Sequence, residues 1–164
     1  MISLRPMRPE KGDYLLMQRW FMEPGLQKWV WCDTPGEGKV PLARIAEKYG
    51  ARAKNPTHVF PYFIQWQGRP IGFIQYYLHD AASIGLDMWI GEAACRGQGL
   101  GTEALSQMTR LIAEKHPGVS RLFIDPHPEN GAAIRCYEKA GFRITGEMMD
   151  DGEKCLLMEM PPPR

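Results

Sequence analysis

Two aspartates, a tyrosine and a glycine-rich turn are the residues of this sequence whose types and spacing can do chemistry. Asp87 stands inside Ile84-Gly85-Leu86-Asp87-Met88-Trp89-Ile90, an otherwise apolar strand pattern. Alternation puts Ile84, Leu86, Met88 and Ile90 on one face and leaves Asp87 on the other with Gly85 and Trp89. A carboxylate there needs a partner or a purpose. It is either a structural hydrogen-bonding group or a base whose pKa partial burial has raised. Asp125 closes Phe123-Ile124-Asp125-Pro126, as a turn residue before proline or as a second binder of an ammonium group. Tyr137 lies at helical spacing from Ala133, Ile134 and Ala140, which fits core packing. His58, His79, His116 and His127 show no metal-ligand spacing, so no metal is expected, and His127 reads as an exposed turn residue.

The glycine turn is Arg96-Gly97-Gln98-Gly99-Leu100-Gly101, between a strand pattern and a helix pattern. Glycines let the backbone turn tightly and approach a ligand. The helix that follows offers unpaired N–H groups, so the pair makes a pyrophosphate site, and Arg96 can add a charged contact. A Walker loop would end Gly-Lys-Ser or Gly-Lys-Thr, whereas Thr102-Glu103 follow Gly101. A dinucleotide fingerprint needs different glycine spacing after the first strand. A plain tight turn stays open on the turn alone.

The elements that must position these residues follow from periodicity. An extended opening covers 3–7, and Lys11 to Met22 has helical spacing, with Leu15, Leu16, Arg19 and Trp20 near one another. Residues 23–39 read as a long loop carrying Trp29, Trp31, Asp33 and Glu37. A second helix starts at Pro41 and runs to about Ala53. His58–Trp66 and Ile71–Leu78 form a hairpin through Gln67-Gly68-Arg69-Pro70, and Ser83–Glu92 is the next strand. A helix over 101–115, a strand over 121–124, a helix over 132–140 capped by Gly141, and strands over 142–147 and 154–160 complete the chain. The order predicts an α/β (α+β) fold in one domain over 1–164, with a mixed sheet of six to seven strands flanked by about four helices.

Bulk properties narrow the function. Lys and Arg number 20 against 19 Asp and Glu, which gives no case for nucleic acid or a membrane surface. Cys32, Cys95, Cys136 and Cys155 form no Cys-x-x-Cys pair, and no apolar run approaches a bilayer span. The N-terminus lacks the apolar core of a signal peptide, so a cytoplasmic location is expected. Strand edges or the aromatic hairpin leave a homodimer open.

Two motifs carry a resemblance. Arg96, Gly99 and Gly101 fill the defined positions of the acetyl-CoA pyrophosphate motif of the GNAT acetyltransferase superfamily: Gln or Arg, two residues, Gly, one residue, then Gly or Ala. Asn130 to Phe142, ending Tyr-Glu-Lys-Ala-Gly-Phe, resembles its second signature. Within the superfamily the chain looks most like aminoglycoside 6'-N-acetyltransferases, through Asp125-Pro126-His127-Pro128-Glu129-Asn130 and Pro70-Ile71-Gly72-Phe73-Ile74-Gln75-Tyr76-Tyr77.

The resemblance implies acetyl-CoA as cosubstrate, held by Arg96, Gly97, Gln98, Gly99, Leu100, Gly101, Thr102, Asn130 and Tyr137. It implies that Tyr137 donates to the coenzyme A sulfur and that Asp87 is the active-site aspartate. Gln75 and Asp125 resemble substrate-contacting positions, and Trp31 in the early loop joins Asp87 in shaping a site for a cationic amine. The expected activity is acetyl transfer to a small-molecule primary amine, foremost an aminoglycoside 6'-amine. Another amine acceptor (a small metabolite, a siderophore precursor or a protein N-terminus) and a non-catalytic coenzyme A-binding module are the alternatives. One departure bears on the acceptor. Where related enzymes carry a longer acidic flap, only Leu78-His79-Asp80-Ala81-Ala82-Ser83 stands here.

Overall fold

The computed structural model describes residues 1–30, 40–150 and 152–164; Trp31, Asp33 and Glu37 lie outside the described residues. The strands are β1 (Ile2–Pro6), β2 (Val59–Trp66), β3 (Arg69–Leu78), β4 (Ser83–Ile90), β5 (Arg121–Ile124), β6 (Arg143–Asp150) and β7 (Glu153–Met160). They form one seven-stranded sheet in the order β1-β2-β3-β4-β5-β7-β6. The helices are α1 (Lys11–Phe21), α2 (Pro24–Gln27), α3, α4 (Leu100–Lys115) and α5 (Gly131–Ala140). Helix α3 runs through Leu42–Ile45, a π-helical Ala46–Gly50 and Ala51–Lys54. The mixed α/β fold expected from the sequence is the fold observed.

Three local readings differ. The stretch after α1 is not wholly loop: Pro24 starts a short helix whose N-cap, Glu23, accepts from the N–H groups of Gly25 and Leu26. The hairpin turn is two residues, Gln67 and Gly68, both at positive φ (52° and 76°). That hand matches the twist of the strands, so Arg69 and Pro70 already belong to β3. In α1 the buried face is Asp13, Met17, Trp20 and Phe21, so Leu15 is left 44% exposed.

The sheet divides the core by the alternation of its strands. Ile74, Tyr76, Ile84 and Leu86 face α4 and α5, where they meet Leu105, Met108, Ile112, Tyr137 and Phe142. Phe63, Phe73 and Trp89 face α1 and α3, against Met17, Trp20, Phe21, Ile45 and Tyr49. Phe73 lies at the centre of this second layer. Its ring stacks on Trp89 at 4.4 Å and meets the edge of Tyr49 at 5.5 Å. Phe73 is fully buried, so Phe73→Ala is expected to lower the unfolding free energy by about 3–5 kcal/mol, read from urea denaturation.

Candidate active site

The strand pair β4–β5 is the parallel neighbour pair of the sheet, and it builds the site. Its register runs from Ser83↔Arg121 to Leu86↔Ile124 and stops there. Strand β4 continues to Ile90, while β5 ends and the chain turns at Pro126. The strands therefore part just beyond Leu86 and Ile124, and the next residue on each is an aspartate, Asp87 and Asp125. A cavity of about 680 Å³ occupies the opening.

At one end of the cavity lies the glycine turn. Gly97 and Gly99 sit at φ 75° and 79°, a left-handed conformation that favours glycine. A Cβ built on either would meet nothing within 4 Å, so the space over the turn is open. Gly99 caps α4, whose first N–H groups face that space. Arg96, Gly97, Gly99, Leu100, Gly101, Thr102, Asn130 and Tyr137 all line the cavity; Gln98 is exposed, bonds the Ala94 carbonyl at 2.7 Å and does not. Thr102 donates to the Cys136 carbonyl, and Asn130 caps α5 by accepting from the Ala133 N–H. The Arg96 guanidinium has partners of its own: the Ile90 carbonyl at 2.9 Å and the Glu23 carboxylate at 2.7 Å. Arg135 and Lys139 add two cations to the lining. Arg135 falls inside the matched signature and Lys139 in its Tyr-Glu-Lys stretch, so both were legible as neighbours of the coenzyme end.

The other end is acidic. Gln75 stands opposite Asp87 in the β3–β4 ladder and donates to its carboxylate at 3.0 Å. Burial raises the Asp87 pKa, against the Gln75 hydrogen bond and the positive charges of Arg52 and Lys48. Burial, with the charges of Asp87 and Asp150, pushes Asp125 up to about 7. Asp150, at the end of β6, completes the group, and ligand atoms of Asp125, Asp150 and Cys155 lie within 4.8 Å of one another. The strands read from the sequence over 142–147 and 154–160 leave Asp150 between them; strand pairing instead holds it opposite Glu153. Tyr77 roofs this region. Its ring lies over Gly85, where a Cβ would come within 2.3 Å of it.

Tyr137 is buried, and burial holds its phenol above the ordinary tyrosine range, so it stays protonated and able to donate. His127 is half-buried rather than exposed: its ring packs on Trp29 at 5.4 Å, and both line the cavity.

The site is thus a split parallel strand pair with a glycine turn at one end of its cavity and carboxylates at the other. The pattern of the acetyltransferase (GNAT) domain matches residues 10–149, and this chain belongs to that family. It is 31% identical over 157 residues to the aminoglycoside N(6')-acetyltransferase type 1 of Klebsiella pneumoniae, covering 88% of this chain and 75% of that one. It is 27% identical over 115 residues to the spermine/spermidine N(1)-acetyltransferase of Bacillus subtilis, covering 66% and 75%. The solved structure of AAC(6')-Ib with paromomycin and acetyl-CoA superposes with a TM-score of 0.84 at 28% identity, covering 98% of this chain and 93% of that one. The chain is thus a GNAT acetyltransferase, similar in sequence and fold to aminoglycoside 6'-N-acetyltransferases. Among the described residues no helix is long and apolar enough to cross a membrane.

The raised pKa of Asp125 has a sign that can be checked. An acid whose pKa rises on folding supports the fold when protonated. That support is complete below the ordinary value of 3.8 and is lost as pH climbs through about 7. Asp125→Asn is therefore expected to gain stability over the native protein as pH rises from 4 to 8. Urea midpoints across that range check it, and a constant difference would refute it.

Proposed function

We propose that the chain, acting as one domain over 1–164, transfers the acetyl group of acetyl-CoA to a small-molecule primary amine, foremost the 6'-amino group of an aminoglycoside. The observation that carries this reading is the pairing of Asp87 and Asp125 where β4 and β5 part, in one cavity with the glycine turn and Tyr137.

The pyrophosphate of acetyl-CoA lies against Gly97, Gly99 and the N-terminus of α4, and its acetyl thioester reaches the parting point of the strands. The acceptor's ammonium is drawn to the carboxylates. Asp87, its pKa raised by burial, takes the proton directly or through water and leaves a neutral amine. The amine nitrogen bonds to the thioester carbonyl carbon, the carbon–sulfur bond breaks, Tyr137 protonates the departing thiolate, and the proton that the nitrogen sheds on becoming an amide restores the Tyr137 phenol. The products are the amide and free coenzyme A. The match to AAC(6')-Ib, solved with an aminoglycoside and acetyl-CoA, supports the acceptor. So does Asp150, a third carboxylate lining the cavity with Asp87 and Asp125. The polyamine-acetylating relative supports a second acceptor class, the linear polyamines.

Thiol release from acetyl-CoA, scanned over aminoglycosides, polyamines and peptides with product masses, tests the reading. Asp87→Asn is expected to lower kcat by about 10²–10⁴-fold, the usual worth of a positioned base. Tyr137→Phe should lower kcat as well, with acetyl-CoA affinity nearly kept in both. Unchanged turnover in both variants would remove the mechanism.

A further inference from the structure

A second cavity of about 400 Å³ adjoins the first. The two share Arg52, Gln75, Asp87, Asp125 and Asp150, so these residues stand where the coenzyme cleft meets the chamber beyond it. Four of the five suit an ammonium group. Arg52 does not.

Arg52 is held in place. It donates to the Gln75 side-chain carbonyl at 3.4 Å and lies over the Tyr49 ring at 5.4 Å. Gln75 passes that contact on by donating to Asp87. The guanidinium keeps its charge at every working pH and offers donors only. Trp89, which lines the first cavity and meets the edge of Tyr49, buries an indole N–H with no hydrogen-bond partner among the described residues. Arg52 thus brings a donor-only, permanently charged side chain to the carboxylates that border both cavities.

We propose that Arg52 is a specificity-determining residue of the acceptor chamber: it selects an acceptor that sets an oxygen against its guanidinium over one that sets a second ammonium there. The selection rests on the N-acetyltransferase reading above and narrows it. The reacting amine goes to Asp87 and Asp125, and a hydroxyl or carboxylate oxygen of the same molecule accepts from Arg52. A second ammonium at that place meets a fixed like charge and finds no acceptor. Amino sugars with a hydroxyl in reach of Arg52 meet that donor, and bare polyamines, the second acceptor class, fit it less well.

Matched acceptors test it. Kanamycin A and kanamycin B differ at one position on the ring that bears the 6'-amine, a hydroxyl in the first and an amine in the second. Lysine and cadaverine differ by one carboxylate. The native protein is expected to favour the oxygen-bearing member by about tenfold in kcat/KM, mostly through KM. Arg52→Gln should bring the pair to near parity, and Arg52→Lys should keep the preference. Arg52 as a plain counter-ion to Asp87 would change both members alike, and that result overturns the proposal. So does a native preference that is absent or that survives Arg52→Gln. Thiol release from no amine, with acetyl-CoA still bound, would sink the acetyl-transfer reading and this selection with it.

Discussion

The parting of β4 from β5 is the constraint on which the site depends. Parallel neighbours hold the two chains in step as far as Leu86 and Ile124. Beyond that point β4 keeps its antiparallel partner β3, while β5 turns away at Pro126, whose carbonyl accepts from the Leu156 N–H of β7. Each strand is thus held by its outer neighbour after losing its inner one. The backbone groups left between them and the cavity they border are what a coenzyme and an acceptor can fill. Because register is fixed up to the split, the residues that follow it on the two chains, Asp87 and Asp125, border the same cavity.

That placement carries an electrostatic cost which the surroundings only partly offset. Three carboxylates converge, and burial disfavours the ionised form of at least two of them. Gln75 stabilises Asp87 through a hydrogen bond, and Arg52 and Lys48 do so through charge. Asp125 has no comparable help, and its titration accordingly falls near neutrality. The difference between the two matters chemically. Asp87 is oriented by the Gln75 hydrogen bond, whereas Asp125 is made costly to ionise by burial and by the charges of Asp87 and Asp150.

The sequence disclosed the elements along the chain better than the group of side chains they bring together. Alternation in 84–90 put Asp87 on its own face, and the glycine turn and the Asn130 signature marked the coenzyme end. Those signals are local: each lies within a dozen residues. Asp150 and Arg52 gave no such signal. Asp150 comes to the site through the β6–β7 pairing, and β7 reaches β5 only by long-range contact. Arg52 comes through a helix whose π-helical turn at Ala46–Gly50 shifts the face that Tyr49 and Arg52 present, a shift no 3.6-residue period contains. Helix α2 was lost in a stretch of Pro and Gly that reads as loop, though Glu23 and Pro24 are an N-cap and a first helical residue.

That short helix ties the two ends of the cleft together. Glu23 serves two partners at once: it caps α2, and it holds Arg96 at the start of the phosphate turn. The Arg96 guanidinium and the two cap N–H groups hold the Glu23 carboxyl below the usual range, so the link stays charged at neutral pH. From α2 the chain runs on to Trp29, whose ring packs on His127 in the loop that follows Asp125. The wall beside the acceptor end is therefore anchored to the turn beneath the coenzyme end through one ion pair and one ring contact.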